Sequence, residues 1–203
     1  IKKIVEKPKN PVSNLAVIGI YFLSPKIFHI IDKLKPSWRN EFEITEALQL
    51  LMDEGHTIIY DTVTGWWKDT GTPEDIIHAN KLVLDSIGTE NQFLIDSDAK
   101  IKNQVVIGKN TTISNDSQIV GPIIIGSNCK IGPSVKLGPY VSIGNNCELQ
   151  ECQIKNSIIM SECKINSKIN LVNSIISNGS QIDNNHIPKQ FELLLGERSQ
   201  LKL

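Results

Sequence analysis

Residues 95–149 read IDSDAK-IKNQVV-IGKNTT-ISNDSQ-IVGPII-IGSNCK-IGPSVK-LGPYVS-IGNNCE-L, with Ile or Leu at every sixth place: Ile95, Ile101, Ile107, Ile113, Ile119, Ile125, Ile131, Leu137, Ile143 and Leu149. A helix repeats its face about every 3.6 residues and a strand every second, so neither alone gives this period. A short strand followed by a turn does, when the chain winds as a parallel β-helix. Two places before most of these aliphatics stands a small or β-branched residue: Ala99, Val105, Thr111, Ser117, Cys129, Val135, Val141 and Cys147. The place just after it is often glycine, at Gly108, Gly126, Gly132, Gly138 and Gly144. The pattern predicts a large side chain pointing inward, a smaller one beside it, and a turn in which glycine takes φ > 0. With three hexads to a coil, the regular run makes about three coils. Beyond Leu149 the phase slips, with Ile154 and Ile159 at five-residue steps and then Ile165, Leu171, Ile176 and Ile182. This predicts about three more coils with tightened turns. The tail, residues 188–203, carries Phe191, Leu193, Leu194 and Leu195 and would cap the open end.

A hydrophobic content of 40 % is ample for a core, and 5 % aromatic suits a narrow prism filled by Ile and Val. A formal net charge of −1 argues against a bulk attraction to nucleic acid. No apolar run approaches the roughly 18 residues that span a bilayer, and no signal peptide is visible. The expectation is a cytoplasmic protein with neither nucleic acid nor membrane as partner. The chain opens on Ile1 rather than Met, with residues that already read as a strand, so it is expected to be a fragment. Cys129, Cys147, Cys152 and Cys163 each lie two places before an inward aliphatic, and no CxxC pair exists. They are predicted to be buried reduced thiols.

Residues 1–88 follow another grammar. Residues 1–6, 16–22 and 56–63 read as strands, the second nearly all apolar. Ser24-Pro25 starts a helix over 26–34, and residues 44–54 form another, closed by Gly55. Thr72-Pro73-Glu74-Asp75 is a capped helix start with two carboxylates in its first turn. Strands alternating with helices indicate an α/β domain, yet three of each are too few to cover a sheet on both faces. The expected division is therefore 1–88, the truncated end of an α/β domain; 89–185, an all-β parallel β-helix; and 186–203, a cap or tail.

Four stretches of the first segment occur in a telling order: Val5-Glu6-Lys7-Pro8; Ser13-Asn14-Leu15-Ala16 with Gly19-Ile20-Tyr21; Arg39-Asn40-Glu41-Phe42-Glu43-Ile44-Thr45; and Trp66-Trp67-Lys68-Asp69-Thr70-Gly71-Thr72-Pro73-Glu74-Asp75. Together they resemble the second half of the nucleotidyltransferase domain of sugar-1-phosphate nucleotidyltransferases. The likeness is greatest to the long-form glucose-1-phosphate thymidylyltransferases, which end in a left-handed β-helix. That handedness comes from the resemblance, since parallel crossovers are normally right-handed. The implied reaction joins a sugar 1-phosphate to a nucleoside triphosphate, dTTP and glucose 1-phosphate giving dTDP-glucose and pyrophosphate. Two polyanions must meet, so divalent metal and cations matter more than a general base.

By resemblance, Asp69 would bind Mg²⁺, Lys7 and Arg39 would act on the sugar phosphate, and Glu6 would take sugar hydroxyls. Asn14, Gly19 and Tyr21 would line the sugar pocket. The family usually has glycine after this arginine, whereas Asn40 stands here, and asparagine tolerates the left-handed turn. No G-x-G-T-R-L stretch occurs, so the loop that grips the triphosphate is missing and the chain alone is expected to be inactive. Two other readings concern the β-helix. A hexapeptide-repeat acyltransferase would need a general base such as histidine, but His29, His56, His78 and His186 leave residues 79–185 without one. The other is a non-catalytic oligomerisation or regulatory surface, giving a homo-oligomer through flat parallel faces.

Overall fold

The computed structural model describes residues 1–11, 13–87, 100–183, 194–195 and 200–201. Three columns of aliphatic side chains decide the larger part of it. Ile101, Ile119, Leu137, Ile154 and Leu171 stand one above the next in the first column. Ile107, Ile125, Ile143, Ile159 and Ile176 form the second. Ile113, Ile131, Leu149, Ile165 and Ile182 form the third. All but Ile101 and Ile113 are buried, and together they make one continuous core.

Each column lines a parallel sheet, with strands numbered in chain order. The first sheet holds β1 (Lys100–Lys102), β4 (Gln118–Val120), β7 (Lys136–Leu137), β10 (Gln153–Lys155) and β13 (Asn170–Val172). The second holds β2 (Val105–Ile107), β5 (Ile123–Ile125), β8 (Val141–Ile143), β11 (Ser157–Ile159), β14 (Ile175–Ile176) and β16 (Leu194–Leu195). The third holds β3 (Thr112–Ile113), β6 (Lys130–Ile131), β9 (Glu148–Gln150), β12 (Lys164–Asn166), β15 (Gln181–Asp183) and β17 (Gln200–Leu201). The result is a parallel β-solenoid of about five turns, consistent with a left-handed β-helix. That is one fewer than the phase of the sequence predicts. Ile95 lies outside the described residues, as does most of the expected cap over 188–203. The two described pieces of that tail are strands that extend the second and third sheets.

The phase slip is real and has a local cause. Ile119 sits over Ile101 after 18 residues, but Ile154 sits over Leu137 after 17 and Ile165 over Leu149 after 16. The shortened corners turn on Glu151 and Asn156, both at positive φ (52° and 46°). The glycines correct the sequence reading. Of the five that follow an inward aliphatic, only Gly132 and Gly138 take positive φ. At the regular corners that conformation belongs to Asn110, Asn128 and Asn146, with φ of 58–59°. Gly126 is needed for closeness instead, because a Cβ there would lie 2.6 Å from the Gly144 carbonyl carbon of the next coil.

The small-residue slots hold the thiols. Cys129, Cys147 and Cys163 stack in one column, and all four cysteines are free and buried. Each stacked thiol donates to a carbonyl of the next coil, Gly144, Met160 and Ser177 in turn, at 3.1 Å. Cys147, with a thiol above and below it, is pushed well above the usual thiol range. Cys152 occupies another column, where burial pushes its thiol from 9.0 up to about 12. Its raised value means that the unfolded chain loses the proton first. Its contribution is therefore complete below about pH 9 and fades as pH rises toward 12. Urea unfolding midpoints between pH 8 and 11 should accordingly fall more steeply in the wild type than in Cys152→Ala.

The described residues form two compact units, 1–66 and 67–203. In the first, α1 (Lys26–Ile31) and α2 (Ile44–Asp53) bury Ile27, Ile30, Ala47, Leu48 and Leu51 against each other. α2 ends as the sequence predicts. Gly55 takes φ 85°, its N–H bonds to Met52 O, and the His56 N–H bonds to Leu51 O. The strands predicted over 1–6, 16–22 and 56–63 are not formed. Among the described residues of this unit no strand pairs with another, and Ile20, Phe22 and Ile59 are exposed. An apolar run supplies strand propensity, but a strand exists only with a neighbour to bond to. α3 (Pro73–Asp85), counted from sequence with the α/β segment, packs in the second unit with the solenoid. No helix among the described residues is long and apolar enough to cross a membrane.

Candidate functional site

In the first unit two of the predicted site residues, Glu6 and Arg39, converge on the start of α2. The segment bearing Glu6 and Lys7 runs along that helix, held by two bonds. The Ile4 N–H donates to Gln49 Oε1 at 2.7 Å, and Thr45 Oγ1 donates to Glu6 Oε2 at 2.7 Å. A tight turn delivers Arg39. Asn40 takes φ 60°, the Asn40 N–H bonds to Ser37 O, and the Arg39 N–H bonds to Ser37 Oγ at 3.1 Å. Asparagine therefore does at this turn what glycine would do.

Three carboxylates surround the Arg39 guanidinium. Glu41 lies at 2.9 Å, Glu43 at 3.3 Å and Glu6 at 3.6 Å. Glu43 also accepts from Ser37 Oγ at 3.0 Å and is 8 % exposed. Sequence reasoning brought Glu6 and Arg39 to one place but missed Glu43 and Thr45, which hold them there. The missed signal was an acid just before the first turn of α2, four residues after an arginine, within reach of its side chain. Arg39 thus has a structural task, pairing with three acids and offsetting part of their charge, beside any contact with a ligand.

Lys7 differs. It is exposed, at φ 36°, and no carboxylate among the described residues lies within ion-pair distance of it. Asn14, Gly19 and Tyr21 are exposed, and none hydrogen-bonds to Glu6, Lys7 or Arg39.

Asp69 belongs to the second unit, in the turn that heads α3. The helix is capped by Thr72, whose Oγ1 accepts from the Asp75 N–H at 3.2 Å, with Pro73 in the first turn. Lys68 pairs with Asp75 and holds its carboxyl below the usual carboxylate range. Asp69 is not spent on the cap and its side chain is exposed. Among the described residues no three His, Cys, Asp or Glu side chains gather as a ready metal cage. A lone exposed carboxylate does fit a hard cation that completes its shell with water and phosphate oxygens.

A short helical segment followed by a parallel β-solenoid is the class of architecture these features define. Residues 1–86 match the nucleotidyl transferase family, and residues 119–202 match the GMPPB C-terminal domain. The chain is thus similar to sugar-1-phosphate nucleotidyltransferases. It is 42 % identical over its whole length to the low-salt glycan biosynthesis nucleotidyltransferase Agl11 of Haloferax volcanii, of which it covers 57 %. Over 54 % of the chain it is 37 % identical to a glucose-1-phosphate thymidylyltransferase of Streptomyces antibioticus, covering 31 % of that protein. Over 53 % it is 42 % identical to the bifunctional protein GlmU of Methanocaldococcus jannaschii, covering 26 % of it. The chain therefore spans from about a quarter to just over half the length of these relatives.

Proposed function

We propose that this chain is the sugar-phosphate and metal-binding part of a cytoplasmic sugar-1-phosphate nucleotidyltransferase, with dTTP and glucose 1-phosphate as its substrates. The observation that carries this reading is the tied group of Glu6, Arg39 and Thr45 at the start of α2, within the segment matching the nucleotidyl transferase family. A phosphate oxygen of the sugar phosphate attacks the α-phosphorus of the triphosphate in line. The new O–P bond forms as the bond to the β-phosphate oxygen breaks and pyrophosphate leaves.

Lys7 supplies a point charge to the sugar phosphate, Arg39 a planar fork, and Glu6 an acceptor for sugar hydroxyls. Asn14, Gly19 and Tyr21 line the sugar pocket. Mg²⁺ held by Asp69 would neutralise charge on the phosphates. The thymidylyltransferase assignment is supported by the likeness to the glucose-1-phosphate thymidylyltransferase of Streptomyces antibioticus and is tested by comparing dTTP with UTP. The solenoid serves as a surface for self-association. Acyl transfer is disfavoured, since residues 79–185 offer no histidine as base.

The test is kinetic. The 203-residue chain alone should release no pyrophosphate from glucose 1-phosphate, dTTP and Mg²⁺. In the intact enzyme, Lys7→Ala and Arg39→Ala should raise the KM for the sugar phosphate. A charge-assisted contact of about 1.5–3 kcal/mol corresponds to roughly ten- to a hundredfold. A change confined to the nucleotide KM would remove both residues from the sugar-phosphate site. Arg39→Ala should also melt earlier, because Glu43 loses its counter-charge.

A further inference from the structure

The outward face of the second sheet is apolar where a solvated face would be polar. In register across its strands stand Val106, Ile124, Ser142, Ile158 and Ile175. Ile175 is buried and the other four are half-buried. α3 lies against β11 of this sheet. Buried Ile77 and Leu84 flank half-buried Asn80 at spacings of three and four residues, so the three share one side of the helix. Each of these two rows contains a single polar residue, and the two meet: Ser142 Oγ donates to Asn80 Oδ1 at 2.6 Å.

The Asn80 amide nitrogen is buried with no partner among the described residues, so an apolar residue would sit there at less cost. What the pair offers is register. Sliding the helix by one turn would set Asn80 against isoleucine and leave the Ser142 hydroxyl facing an apolar side chain, two half-buried groups unpaired. Beside it, Lys81 Nζ stands 4.6 Å over the ring of Tyr140, the residue that leads into β8. From Asn80 the helix runs unbroken back to Pro73. There the Thr72 cap and the Lys68–Asp75 ion pair bracket Asp69 from both sides.

We propose that the Asn80–Ser142 hydrogen bond fixes the register of α3 on the solenoid and thereby positions the Asp69 carboxylate, Ser142 and Asn80 acting as positioning residues for a site that touches neither. The second half of this statement rests on the reading of Asp69 as a metal ligand. The solenoid is then part of the catalytic architecture as well as a surface for association.

The test uses Asn80→Leu/Ser142→Val in the 203-residue chain, with hydrogen exchange and thermal unfolding as readouts. Expected is an unchanged or higher melting temperature, with exchange over residues 67–76 faster by tenfold or more and solenoid strands exchanging as before. Unchanged exchange over 67–76 overturns the proposal. Should the double variant fail to fold, Ser142→Ala against Ser142→Thr decides. The alanine variant should exchange fast and the threonine variant, which keeps the hydroxyl, at the wild-type rate; equal rates overturn the proposal.

In the intact enzyme, Asn80→Leu/Ser142→Val should lower kcat at least tenfold and raise the half-saturating Mg²⁺ concentration, with the KM for glucose 1-phosphate unmoved. A Mg²⁺ requirement that stays put, while Asp69→Asn abolishes turnover, overturns the positioning role. If Asp69→Asn itself leaves turnover intact, the metal assignment is what fails, and the exchange result still decides whether the pair sets the register.

Discussion

Replacing Asp69 by asparagine in the intact enzyme is expected to reduce kcat by a hundred- to a thousandfold or more while leaving the fold as it is. A bound divalent ion contributes several kcal/mol to charge stabilisation in phosphoryl transfer, and about 1.4 kcal/mol is a factor of ten. The fold should be spared because Asp69 is exposed and α3 takes its cap from Thr72. Circular dichroism and melting should match the wild type, and raised Mg²⁺ should restore only part of the rate. Near-normal kcat at ordinary Mg²⁺ would remove Asp69 from the site.

The second large effect lies in the solenoid. Gly138 follows the inward Leu137 at φ 94°, and a Cβ there would run into the Val120 carbonyl of the coil beneath and the Ile123 side chain. Gly138→Ala therefore meets two costs, a left-handed backbone of about 1–2 kcal/mol and an overpacked contact of about 1–3 kcal/mol. The sum, about 2–5 kcal/mol, should lower the melting temperature by roughly 10 °C for a chain of this size. Gly71→Ala is the matched control in the same unit. Its φ is ordinary and its Cβ would meet only Asp69 Oδ1, at 3.8 Å, so its melting should stay within a degree or two of wild type. Equal melting of the two variants would show that coil stacking does not depend on a bare backbone at Gly138.

The solenoid was legible in the sequence because each coil repeats one demand. The columns that begin at Ile101 and Ile107 need an inward aliphatic at every rung, so even the short steps to Ile154 and Ile159 could be read in advance. The corners were less legible. Glycine and asparagine both suit a tight turn, and only the folded backbone distinguishes a residue needed for its φ, such as Asn128, from one needed for its lack of a side chain, such as Gly126. Residues 16–22 were misread for a different reason, since hydrophobic patterning reports willingness to be a strand and not the presence of a partner. At the candidate site the motif led to Arg39 and Glu6. The ring of acids around Arg39 depends on how residues 37–43 turn back on themselves, which no spacing rule encodes. The place of α3 was hidden because its stripe fits any apolar face, and its true counterpart, Ser142 with its aliphatic neighbours, lies some sixty residues on.

The change of coil length from 18 residues to 17 and 16 has a consequence for how the chain finds its thread. Rungs of equal length are interchangeable, and a winding built only of them could close one rung too early with every aliphatic still stacked. Mis-threading of that kind is the standing hazard of a repetitive sequence. The short corners at Glu151 and Asn156 act like a notch in a ruler. A chain wound one rung out would bring a corner of one length over a corner of another, and the inward columns would fall out of line from there on. The irregular coils thus give the regular ones an address.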